Sequence, residues 1–371
     1  MILAKKVRLY PSETQEQKLW QSVGTARFIY NWTLAKQEEN YKNGGKFISD
    51  GVLRKEITQL KKNELSWLNE VSNNIAKQAV KDACDAYKRF FKGLSDKPRF
   101  KTKKRSKKSF YNDNVKLKVK DNKLVNIEKI GWIKTNEQLP IGVKYCNPRI
   151  SYDNKYWYIS VGIEQEENQE ELTDISLGID LGLKDLAICS DGTVYKNINK
   201  TYMVRKIEKR LKRLQKQVSR KYEKNKKGKE YVKTKNIIKL EKQIQQVHRR
   251  LANIRNNYLH QTTTNIVKTK PYRVVIEDLA VSDMMKNKHL SDAIRKQGFS
   301  EFRRQLEYKC NFRGIKLVVA DRFYPSSKSC SQCGKIKKDL KLKDRVYKCS
   351  CGLNIDRDLN ASINLSKYKS A

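Results

Sequence analysis

The feature that most constrains this 371-residue chain is a segment near its C-terminus that combines two kinds of polar cluster. Within seven residues of its last cysteine the segment reaches Asp356 and Asp358, where the sequence predicts a helix start. The cysteines form two closely spaced pairs, Cys330 with Cys333 and Cys349 with Cys351. A metal site and a carboxylate cluster must therefore be built from one continuous stretch, which restricts the folds open to the chain.

The cysteine spacing predicts a structural zinc site. Two residues separate the first pair, one separates the second, and fifteen lie between the pairs. Four thiolates at about 2.3 Å from the metal close a tetrahedral shell and leave no position for a substrate. Gly334 and Gly352 follow the two pairs and allow backbone amides to turn toward sulfur. A redox-active pair is the alternative, although redox chemistry would need only one pair.

Three acidic residues stand where a predicted strand ends or a predicted helix begins: Asp180, Glu277 and Asp358. Burying carboxylates in such apolar surroundings is costly without compensation, and a divalent cation can supply it. Mg²⁺ prefers oxygen ligands and keeps waters and substrate phosphates in its shell. Two such ions about 4 Å apart can activate a water and stabilise the leaving oxygen of a phosphodiester. The pattern therefore predicts a magnesium site, with two ions, on these three residues.

Two further acids compete for this role. Asp278 follows Glu277 and, by the alternation of a strand, should point to the opposite face. Asp356 precedes Asp358 by two residues and should lie in the approach to the helix. The sequence thus favours Glu277 and Asp358.

The order of predicted elements around the three acids matches an α/β ribonuclease-H-like fold. Strands are predicted at 175–182, 185–189 and 193–195, with a hairpin turn at Asp191-Gly192. Further strands are predicted at 272–277 and 315–320, with a helical region between them. In that fold a strand Asp, a strand Glu and an Asp at a helix start meet at one edge of the sheet.

The N-terminal part predicts a strand followed by helices. Residues 2–10 alternate as a strand, and Ser12 with Gln15 predicts a capping box for a helix that continues toward Lys36. A second helix is predicted at 72–91, so that residues 13–95 are mainly helical. Residues 109–166 turn to β, with alternation at 115–119 and 156–161. The acidic stretch at 164–171 predicts a linker to the next domain.

Two long charged stretches in the second half predict a pair of helices. Apolar residues recur at spacings of 3 and 4 from Ile207 to Val218 and from Ile237 to Tyr258. Such seams are typical of helices packed against each other, and the loop at 224–228 permits an antiparallel hairpin. The seam predicts a structural arm, whose basic outer face could contact nucleic acid.

The charge of the chain points to a polyanionic partner. Lys and Arg total 81 against 40 Asp and Glu, a formal net charge of +41. An excess of that size favours nucleic acid. Residues 97–108 carry eight bases and no acid, and we interpret them as phosphate contacts in preference to a solvated linker.

The remaining cysteines and the lack of long apolar runs indicate the cellular compartment of the protein. The cysteines outside the cluster are scattered, which favours free thiols in a reducing compartment over disulfides. They are Cys84, Cys146, Cys189 and Cys310. No apolar run approaches the roughly 18 residues needed to span a bilayer, and the N-terminus lacks a signal-peptide pattern. We therefore expect a cytoplasmic protein with no membrane partner.

Four motifs in the second half of the chain are specific: Gly178-Ile179-Asp180-Leu181-Gly182, Tyr308-Lys309, and residues 325–334 and 356–361. Together they resemble the motifs of the TnpB family, whose members are transposon-encoded, RNA-guided DNA nucleases related to compact type V CRISPR effectors. Residues 8–11 and 86–91 also resemble N-terminal signatures of this family, so the resemblance spans the chain.

The resemblance implies an α/β multidomain protein with a RuvC-like, that is ribonuclease-H-like, nuclease domain. Residues 1–10 and 109–170 would form a split wedge β-barrel, and residues 11–108 a helical recognition domain that includes the basic segment. The nuclease domain would comprise residues 171–328 with the helical hairpin and residues 353–371 with the final helix. An inserted zinc knuckle with four cysteine ligands would occupy residues 329–352.

The resemblance also implies the residues and partners of the activity. The family's catalytic triad falls on Asp180, Glu277 and Asp358, the residues that the element pattern selects. Family members bind a structured guide RNA from the transposon end; RNA pairing reads the target, and the protein reads a short flanking DNA motif. In the family, the helix before the Tyr-x-x-Phe-Phe element, which is Tyr87 to Phe91 in this chain, helps to read that motif. Asn73, Asn74 and Lys77 are therefore candidate nucleic-acid contacts, with a purely structural surface as the alternative.

The sequence thus predicts a Mg²⁺-dependent, RNA-guided DNA endonuclease that carries structural zinc and cuts double-stranded target DNA. No small-molecule substrate is expected, and DNA binding would associate the cytoplasmic protein with the nucleoid. The alternatives are a nuclease-inactive RNA-guided DNA-binding regulator, a strand-joining transposase and a guide-independent junction resolvase. The intact acid triad argues against the first, and the zinc insertion before Asp358 against the second.

Overall fold

The computed structural model describes residues 1–166, 170–341 and 344–369, and the chain divides into two compact units, Met1–Gln165 and Glu166–Ala371. The predicted linker at 164–171 lies partly outside the described residues, as do small parts of the predicted zinc knuckle and of the C-terminal end. In the part of the chain that is described, no helix combines the length and the apolar character needed to cross a membrane.

The N-terminal unit combines an antiparallel sheet with three α-helices. Its strands are β1 (Ile2–Tyr10), β2 (Lys108–Tyr111), β3 (Lys118–Lys120), β4 (Leu124–Ile127), β5 (Gly131–Thr135), β6 (Tyr145–Tyr152) and β7 (Trp157–Glu164). Its helices are α1 (Glu13–Lys42), α2 (Asp50–Leu60) and α3 (Asn73–Phe91), with a short 3₁₀ helix at Ser66–Glu70. The strand order is β2-β6-β7-β1-β5-β4-β3, with β1 paired along nearly its whole length to β7.

The start of α1 confirms the predicted capping box. Ser12 Oγ accepts from the backbone N–H of Gln15 at 3.3 Å, and Gln15 Oε1 accepts from the backbone N–H of Ser12 at 3.0 Å. These two bonds satisfy donors that a helix leaves free at its first turn. Leu19 and Val23 of α1 then pack with Val7 of β1 in the core of the sheet.

Three features of this unit differ from the prediction. The strand predicted at 115–119 is reduced to β3, because Asp113 Oδ1 accepts from the backbone N–H groups of Val115 at 3.0 Å and Lys116 at 3.2 Å. This side-chain turn competes with the strand pairing. Helix α2 was not predicted, and α1 extends to Lys42, beyond the predicted end at Lys36.

The C-terminal unit is built on a five-stranded mixed sheet. Its strands are β8 (Thr173–Leu181), β9 (Asp185–Cys189), β10 (Val194–Lys196), β13 (Pro271–Glu277) and β14 (Lys316–Ala320), in the order β10-β9-β8-β13-β14. The first three are antiparallel, as predicted from the Asp-Gly turn, and β13 runs parallel to both β8 and β14. The five predicted strands of this sheet are therefore confirmed within two residues at each boundary, whereas the short strands of the two hairpins described next were not predicted.

Helices and two small hairpins complete this unit. The helices are α4 (Tyr202–Lys224), α5 (Lys235–Lys268), α6 (Val281–Met284), α7 (Ser291–Gln297), α8 (Phe299–Phe312) and α9 (Arg357–Ser366). One hairpin, β11 (Lys226–Lys227) with β12 (Glu230–Tyr231), joins α4 to α5, and the other pairs β15 (Val346–Lys348) with β16 (Asn354–Asp356). The predicted seam of the arm is confirmed, since Ile207, Leu211 and Leu214 pack with Val247 and Leu251.

Candidate active site and metal centre

Asp180 and Glu277 lie side by side at one edge of the five-stranded sheet. Strands β8 and β13 are parallel, with Ile179 opposite Ile276, so that each acid follows at the next position of its strand. Ile179 and Ile276 are fully buried in the sheet core. The strand sequence therefore fixes the two carboxylates at neighbouring strand ends, as predicted.

Asp358 reaches the same edge from the first turn of α9. Asp356 caps this helix, because its Oδ1 accepts from the backbone N–H groups of Asp358 at 2.9 Å and Leu359 at 3.2 Å. Such a cap satisfies free N–H groups and favours a negative charge at the helix start. Because Asp356 Oδ1 is used in capping the helix, the structure agrees with the prediction that Asp358, and not Asp356, belongs to the acid site.

Gly178 allows α9 to approach β8 closely. A Cβ atom at this position would lie 2.0 Å from the carbonyl oxygen of Ser362 and 2.3 Å from the backbone nitrogen of Ser366. No side chain fits in that space, so the helix can contact the strand only where the residue is glycine. This contact brings Asp358 within electrostatic range of Asp180.

Two of the carboxylates, Asp180 and Glu277, are perturbed by burial and by the negative charges around them. Burial, together with the negative charges of Glu277 and Asp358, raises the pKa of Asp180 well above its ordinary value, and Arg357 opposes that shift. Burial and the charge of Asp358 also raise the pKa of Glu277. Buried like charges hold protons or require a cation, and perturbed pKa values of this kind cluster at functional sites.

The side chains around Glu277 differ from those around its neighbour Asp278. Asp278, the competitor of Glu277, is paired with Arg303 at 3.2 Å and with Arg322 at 2.9 Å. Glu277 instead accepts at Oε1 from the hydroxyl of Ser326 at 2.7 Å. The two adjacent acids therefore have different surroundings, as strand alternation predicts.

The four cysteines of the C-terminal segment converge as the spacing predicts. Among the described residues, they form the one group that brings a possible ligand atom from each member within 4.8 Å of the others. The Sγ atoms of Cys330 and Cys351 lie 3.6 Å apart, and those of Cys333 and Cys349 lie 3.5 Å apart. Both separations exceed the roughly 2.05 Å of a disulfide and approach the roughly 3.8 Å edge of a tetrahedral zinc–sulfur shell.

The backbone around each cysteine pair forms a matching tight turn. Gly334 and Gly352 have φ values of 75° and 94°, which favour glycine. The Gly334 N–H donates to the carbonyl of Cys330 at 2.9 Å, and the Gly352 N–H to that of Cys349 at 3.1 Å. The single residue between Cys349 and Cys351 is therefore compatible with a tight turn like that of the longer first pair.

Two buried asparagines connect the cysteine segment to α9. Asn360 Oδ1 accepts from the Ser331 N–H at 2.9 Å, and its Nδ2 donates to the carbonyl of Ser329 at 2.7 Å. Asn364 Nδ2 donates to the carbonyls of Ser326 and Ser329, both at 2.7 Å. The helix that carries Asp358 is thus fixed to the loop that carries the first cysteine pair and Ser326.

The candidate nucleic-acid contacts lie in the first turns of α3. Asn74 Nδ2 donates to Glu128 Oε2 at 3.2 Å, while Asn73 accepts from the ammonium of Lys61. Lys77 lies with Lys61 and Asn73 along a groove between α2 and α3. Burial and the positive charges of Lys129 and Lys77 lower the pKa of Lys61. The groove has a positive potential, whereas Asn74 makes a structural contact.

The basic segment at 97–108 is anchored to α1. Asn31 donates to the Lys101 carbonyl at 2.9 Å and accepts from the Lys101 N–H at 2.7 Å. The Lys101 ammonium lies 3.6 Å from the centre of the Tyr30 ring, and burial lowers its pKa. The segment is therefore held in place, and most of its other basic side chains remain exposed.

Sequence reasoning missed four residues that position the site: Gly178, Ser326, Asn360 and Asn364. The first three lie within the family motifs, but nothing local indicated their partners. Asn360 and Asn364 are buried polar residues on one face of a short helix, a pattern that indicates hydrogen-bond partners outside the helix.

Three family models match parts of the chain. They are "Helix-turn-helix domain" at residues 1–46, "Probable transposase" at 158–288 and "Cas12f1-like, TNB domain" at 299–365. The first covers β1 and the single helix α1, and the last covers the cysteine cluster and Asp358.

Solved structures show the same fold at low sequence identity. A Cas12f1–sgRNA–target DNA complex matches with a TM-score of 0.58 and 16% identity, covering 95% of this chain and 82% of that one. The mini-RNA-guided endonuclease CRISPR-Cas_phi3 matches with a TM-score of 0.52 and 10% identity, covering 99% of this chain and 92% of that one. The α/β fold is therefore one that compact CRISPR effectors share.

Two relatives match at higher identity. The "Putative RNA-guided DNA endonuclease InsQ" of Escherichia coli K12 is 32% identical, over 98% of this chain and 91% of InsQ. A "Putative RNA-guided DNA endonuclease" of Streptomyces pristinaespiralis is also 32% identical, over 98% of this chain and 88% of the relative. These matches over nearly complete chains confirm the resemblance drawn from the motifs, and the chain belongs to the TnpB family.

Proposed function

We propose that this chain is an RNA-guided DNA endonuclease in which Asp180, Glu277 and Asp358 form the catalytic site. The observation that carries the proposal is the convergence of these three acids at one sheet edge, where burial and mutual repulsion raise the pKa of Asp180 and Glu277. We interpret the C-terminal unit as a RuvC-like nuclease domain, and the sheet of the N-terminal unit as the wedge barrel with its helical recognition domain.

The donor set fits Mg²⁺. It consists of carboxylate oxygens, and their repulsion is relieved when a divalent cation binds. The acids are spread more widely than the cysteines, which suits two ions with waters and substrate phosphate between them. When bound, the ions would lower the pKa of a bound water and stabilise the leaving oxygen of the phosphodiester.

The chain's own residues hold this site in place. Asp180 and Glu277 are fixed by the sheet, and Ser326 restrains one oxygen of Glu277. Asp358 is fixed by its helix cap and by the contact of α9 with Gly178. Arg357, whose guanidinium donates to Asp358 Oδ1 at 3.2 Å, restrains the third carboxylate.

The four cysteines fit structural zinc. Four thiolates close the metal shell, and the asparagine contacts transmit the position of the knuckle to α9. Zinc would therefore act on the position of Asp358 and not on the substrate.

The partners proposed are a structured guide RNA and double-stranded target DNA. The net charge of +41 supplies the general attraction to phosphate. Lys77 and Asn73, which line the groove between α2 and α3, would contact the flanking DNA. The exposed basic side chains of residues 97–108 would contact phosphates. Asn74 would contribute less to such contacts, because its amide donates to Glu128.

The test is cleavage of a target plasmid library by protein purified with and without its co-expressed RNA. The wild-type protein should cut only with RNA and with Mg²⁺, and Asp180→Ala should bind RNA and DNA but cut below detection. Asp174→Ala, an exposed acid on the same strand, is the matched control. Undiminished cutting by Asp180→Ala, or equal cutting without RNA, would contradict the proposal; binding without cutting by the wild type would indicate the nuclease-inactive regulator.

A second candidate function is strand joining, which the "Probable transposase" model over residues 158–288 favours. A strand-joining enzyme would give products in which transposon ends are covalently linked to target DNA. The same reaction, analysed by sequencing across new junctions, distinguishes the two functions, because the endonuclease leaves free ends only.

A further inference from the structure

An aromatic cleft lies in the N-terminal unit, where α1 and α3 end. It encloses about 540 Å³, within the range of sites for small organic groups. Its walls carry five aromatic side chains, Tyr41, Phe47, Tyr87, Phe90 and Phe91. None of them belongs to the catalytic site or to the proposed DNA-reading groove.

Several of the rings face the solvent although they are large and apolar. Phe91 is 60% exposed, Tyr41 79% and Phe47 37%. Phe91 stacks on Tyr87 with ring centres 5.9 Å apart and an interplanar angle of 25°, and meets Phe47 edge-on, also at 5.9 Å. Exposed aromatic groups of this kind are unfavourable in water and mark binding sites.

The loop that carries Phe47 is fixed to α1. Gln37 donates to the Ile48 carbonyl at 2.6 Å and accepts from the Ile48 N–H at 3.1 Å. Asn40 donates to the Lys46 carbonyl at 2.5 Å. Phe47 is therefore held opposite Phe91 before any ligand arrives, so that little ordering is required on binding.

The charge around the cleft is positive. Lys42 and Lys46 lie at its rim, and Lys97 pairs with Glu38, the acid among the lining residues, at 3.2 Å. The Tyr87 hydroxyl is buried and has no hydrogen-bond partner among the described residues. The cleft thus combines ring faces, cations and one unsatisfied polar atom, which suits a flat ligand with polar edges and adjacent anions.

We infer that this cleft binds an unpaired base of single-stranded RNA, stacked on the ring face of Phe91 and in edge contact with Phe47, with the flanking phosphates at Lys42 and Lys46. Base–aromatic stacking beside a basic rim is the way in which proteins hold single strands. RNA is the occupant because, in the proposed function on which this inference rests, the guide RNA is the permanent nucleic-acid partner, whereas target DNA arrives as a duplex. A paired base has no free face to offer.

The first measurement is photo-crosslinking of the full-length protein to a single-stranded RNA that contains 5-iodouridine, in buffer without divalent cations. A stacked iodouracil couples to the aromatic ring beside it on irradiation. Mass spectrometry should locate the crosslink in the peptides that contain Phe47 or Phe91. Crosslinks found only in other segments would overturn the inference.

The second measurement is the affinity of the same RNA for substituted proteins. Phe47→Leu with Phe91→Leu keeps apolar volume but removes the ring faces, and should weaken binding about tenfold, since stacking contributes about 1–3 kcal/mol per base. Phe28→Leu is the matched control, because Phe28 is also 37% exposed and meets Trp67 edge-on at 5.3 Å outside the cleft. Its affinity should equal that of the wild type.

Three outcomes would decide against the inference. Equal affinity of the double variant and the wild type would overturn it. A single-stranded DNA of the same sequence that crosslinks there more strongly would assign the cleft to DNA, and self-association lost in Phe91→Leu would assign it to a second copy of the chain. Because neither assay contains target DNA or Mg²⁺, a failure of RNA-guided cleavage would leave these results unaffected.

Discussion

The two polar clusters of the C-terminal unit are assembled in opposite ways. The four cysteines come from a single stretch of 22 residues, and two tight turns suffice to bring them together. The three acids come from β8, β13 and α9, and meet only when the sheet is formed and α9 packs on Gly178. One cluster therefore depends on local spacing and the other on the whole fold.

This difference implies that the clusters can be disrupted separately. A change in the sheet should disperse the acids and leave the cysteines together. A change in the cysteines should reach the acids only through Asn360 and Asn364. Substitutions in the sheet, in the cysteine cluster and at these asparagines test whether the two clusters can be disrupted separately.

Gly178→Ala should have the largest effect. The new Cβ would lie 2.0 Å from a backbone oxygen of α9, so that the helix must shift and carry Asp358 away from Asp180. We expect DNA cleavage to fall by about 100-fold, the loss typical of a misplacement of about 1 Å, with destabilisation of about 1–3 kcal/mol. Cleavage rate, thermal unfolding and zinc content are the measurements, and zinc content should not change.

Gly24→Ala provides the control for that substitution. Gly24 lies within α1, and a Cβ there meets nothing within 4 Å. Alanine in a helix is favoured over glycine by about 0.5–1 kcal/mol, so this variant should be as stable as the wild type or slightly more so. Unchanged cleavage by Gly178→Ala would show that the acids do not depend on the docking of α9.

Cys330→Ser with Cys349→Ser should remove zinc and reduce cleavage less severely, by about tenfold. Without the metal the knuckle loses its closure, since structural zinc contributes folding free energy directly. The packing of α9 on β8 remains, so Asp358 should be displaced but not lost. Metal analysis and cleavage rates check this, with Cys146→Ser, outside the cluster, as the control. Full activity in a zinc-free double variant would separate the two clusters completely.

The sequence predicts the local cluster better than the non-local one. The cysteine turns and the capping box of Ser12 follow from neighbours in the chain, and the structure confirms both. The strand ends of Asp180 and Glu277 also follow, because buried parallel strands have a clear apolar pattern. The need for glycine at 178 comes from a helix that begins 179 residues later, and no local pattern contains that information.

The aromatic cleft illustrates the same limit in the N-terminal unit. Its rings belong to α1, α3 and the loop between α1 and α2, and the hydrogen bonds of Gln37 and Asn40 place Phe47 against Phe91. Tyr87, Phe90 and Phe91 lie in one of the family motifs, but their exposure depends on where α3 ends. Element type was predictable here, and the shape of the surface was not.

Asn360→Ala should test the connection between the clusters with a smaller effect. It removes the hydrogen bonds to Ser331 and Ser329 and leaves their backbone groups with fewer partners, at about 1–3 kcal/mol for each group left unsatisfied. We expect zinc content to be retained and cleavage to fall several-fold. Asn354→Ala, an exposed residue of β16, is the control. Loss of zinc in Asn360→Ala would show that the cysteine cluster is less local than its turns indicate.

The smallest effect concerns the charge of the acid cluster and its dependence on pH. The pKa values of Asp180 and Glu277 are raised from ordinary values of 3.8 and 4.5, so between these values and the raised ones the folded state binds more protons than the unfolded state. The stability they contribute is therefore present at low pH and lost as pH rises through the raised pKa values. Without Mg²⁺, the unfolding temperature should fall from pH 5 to pH 8, by about 3 °C for each kcal/mol.

Asp180→Asn should flatten this slope, because the asparagine has no charge to bury, while Asp174→Asn should not. Mg²⁺ should raise the unfolding temperature of the wild type more at pH 8 than at pH 5, since the carboxylates bind it only when deprotonated. Mg²⁺ should raise the unfolding temperature of Asp180→Asn by less than that of the wild type at both pH values. Thiolates are not ligands that Mg²⁺ prefers. If the zinc-free variant Cys330→Ser with Cys349→Ser gains the same rise in unfolding temperature from Mg²⁺ as the wild type, the rise is due to the acids. Parallel pH profiles for wild type and Asp180→Asn would mean that the three carboxylates do not share one charged site.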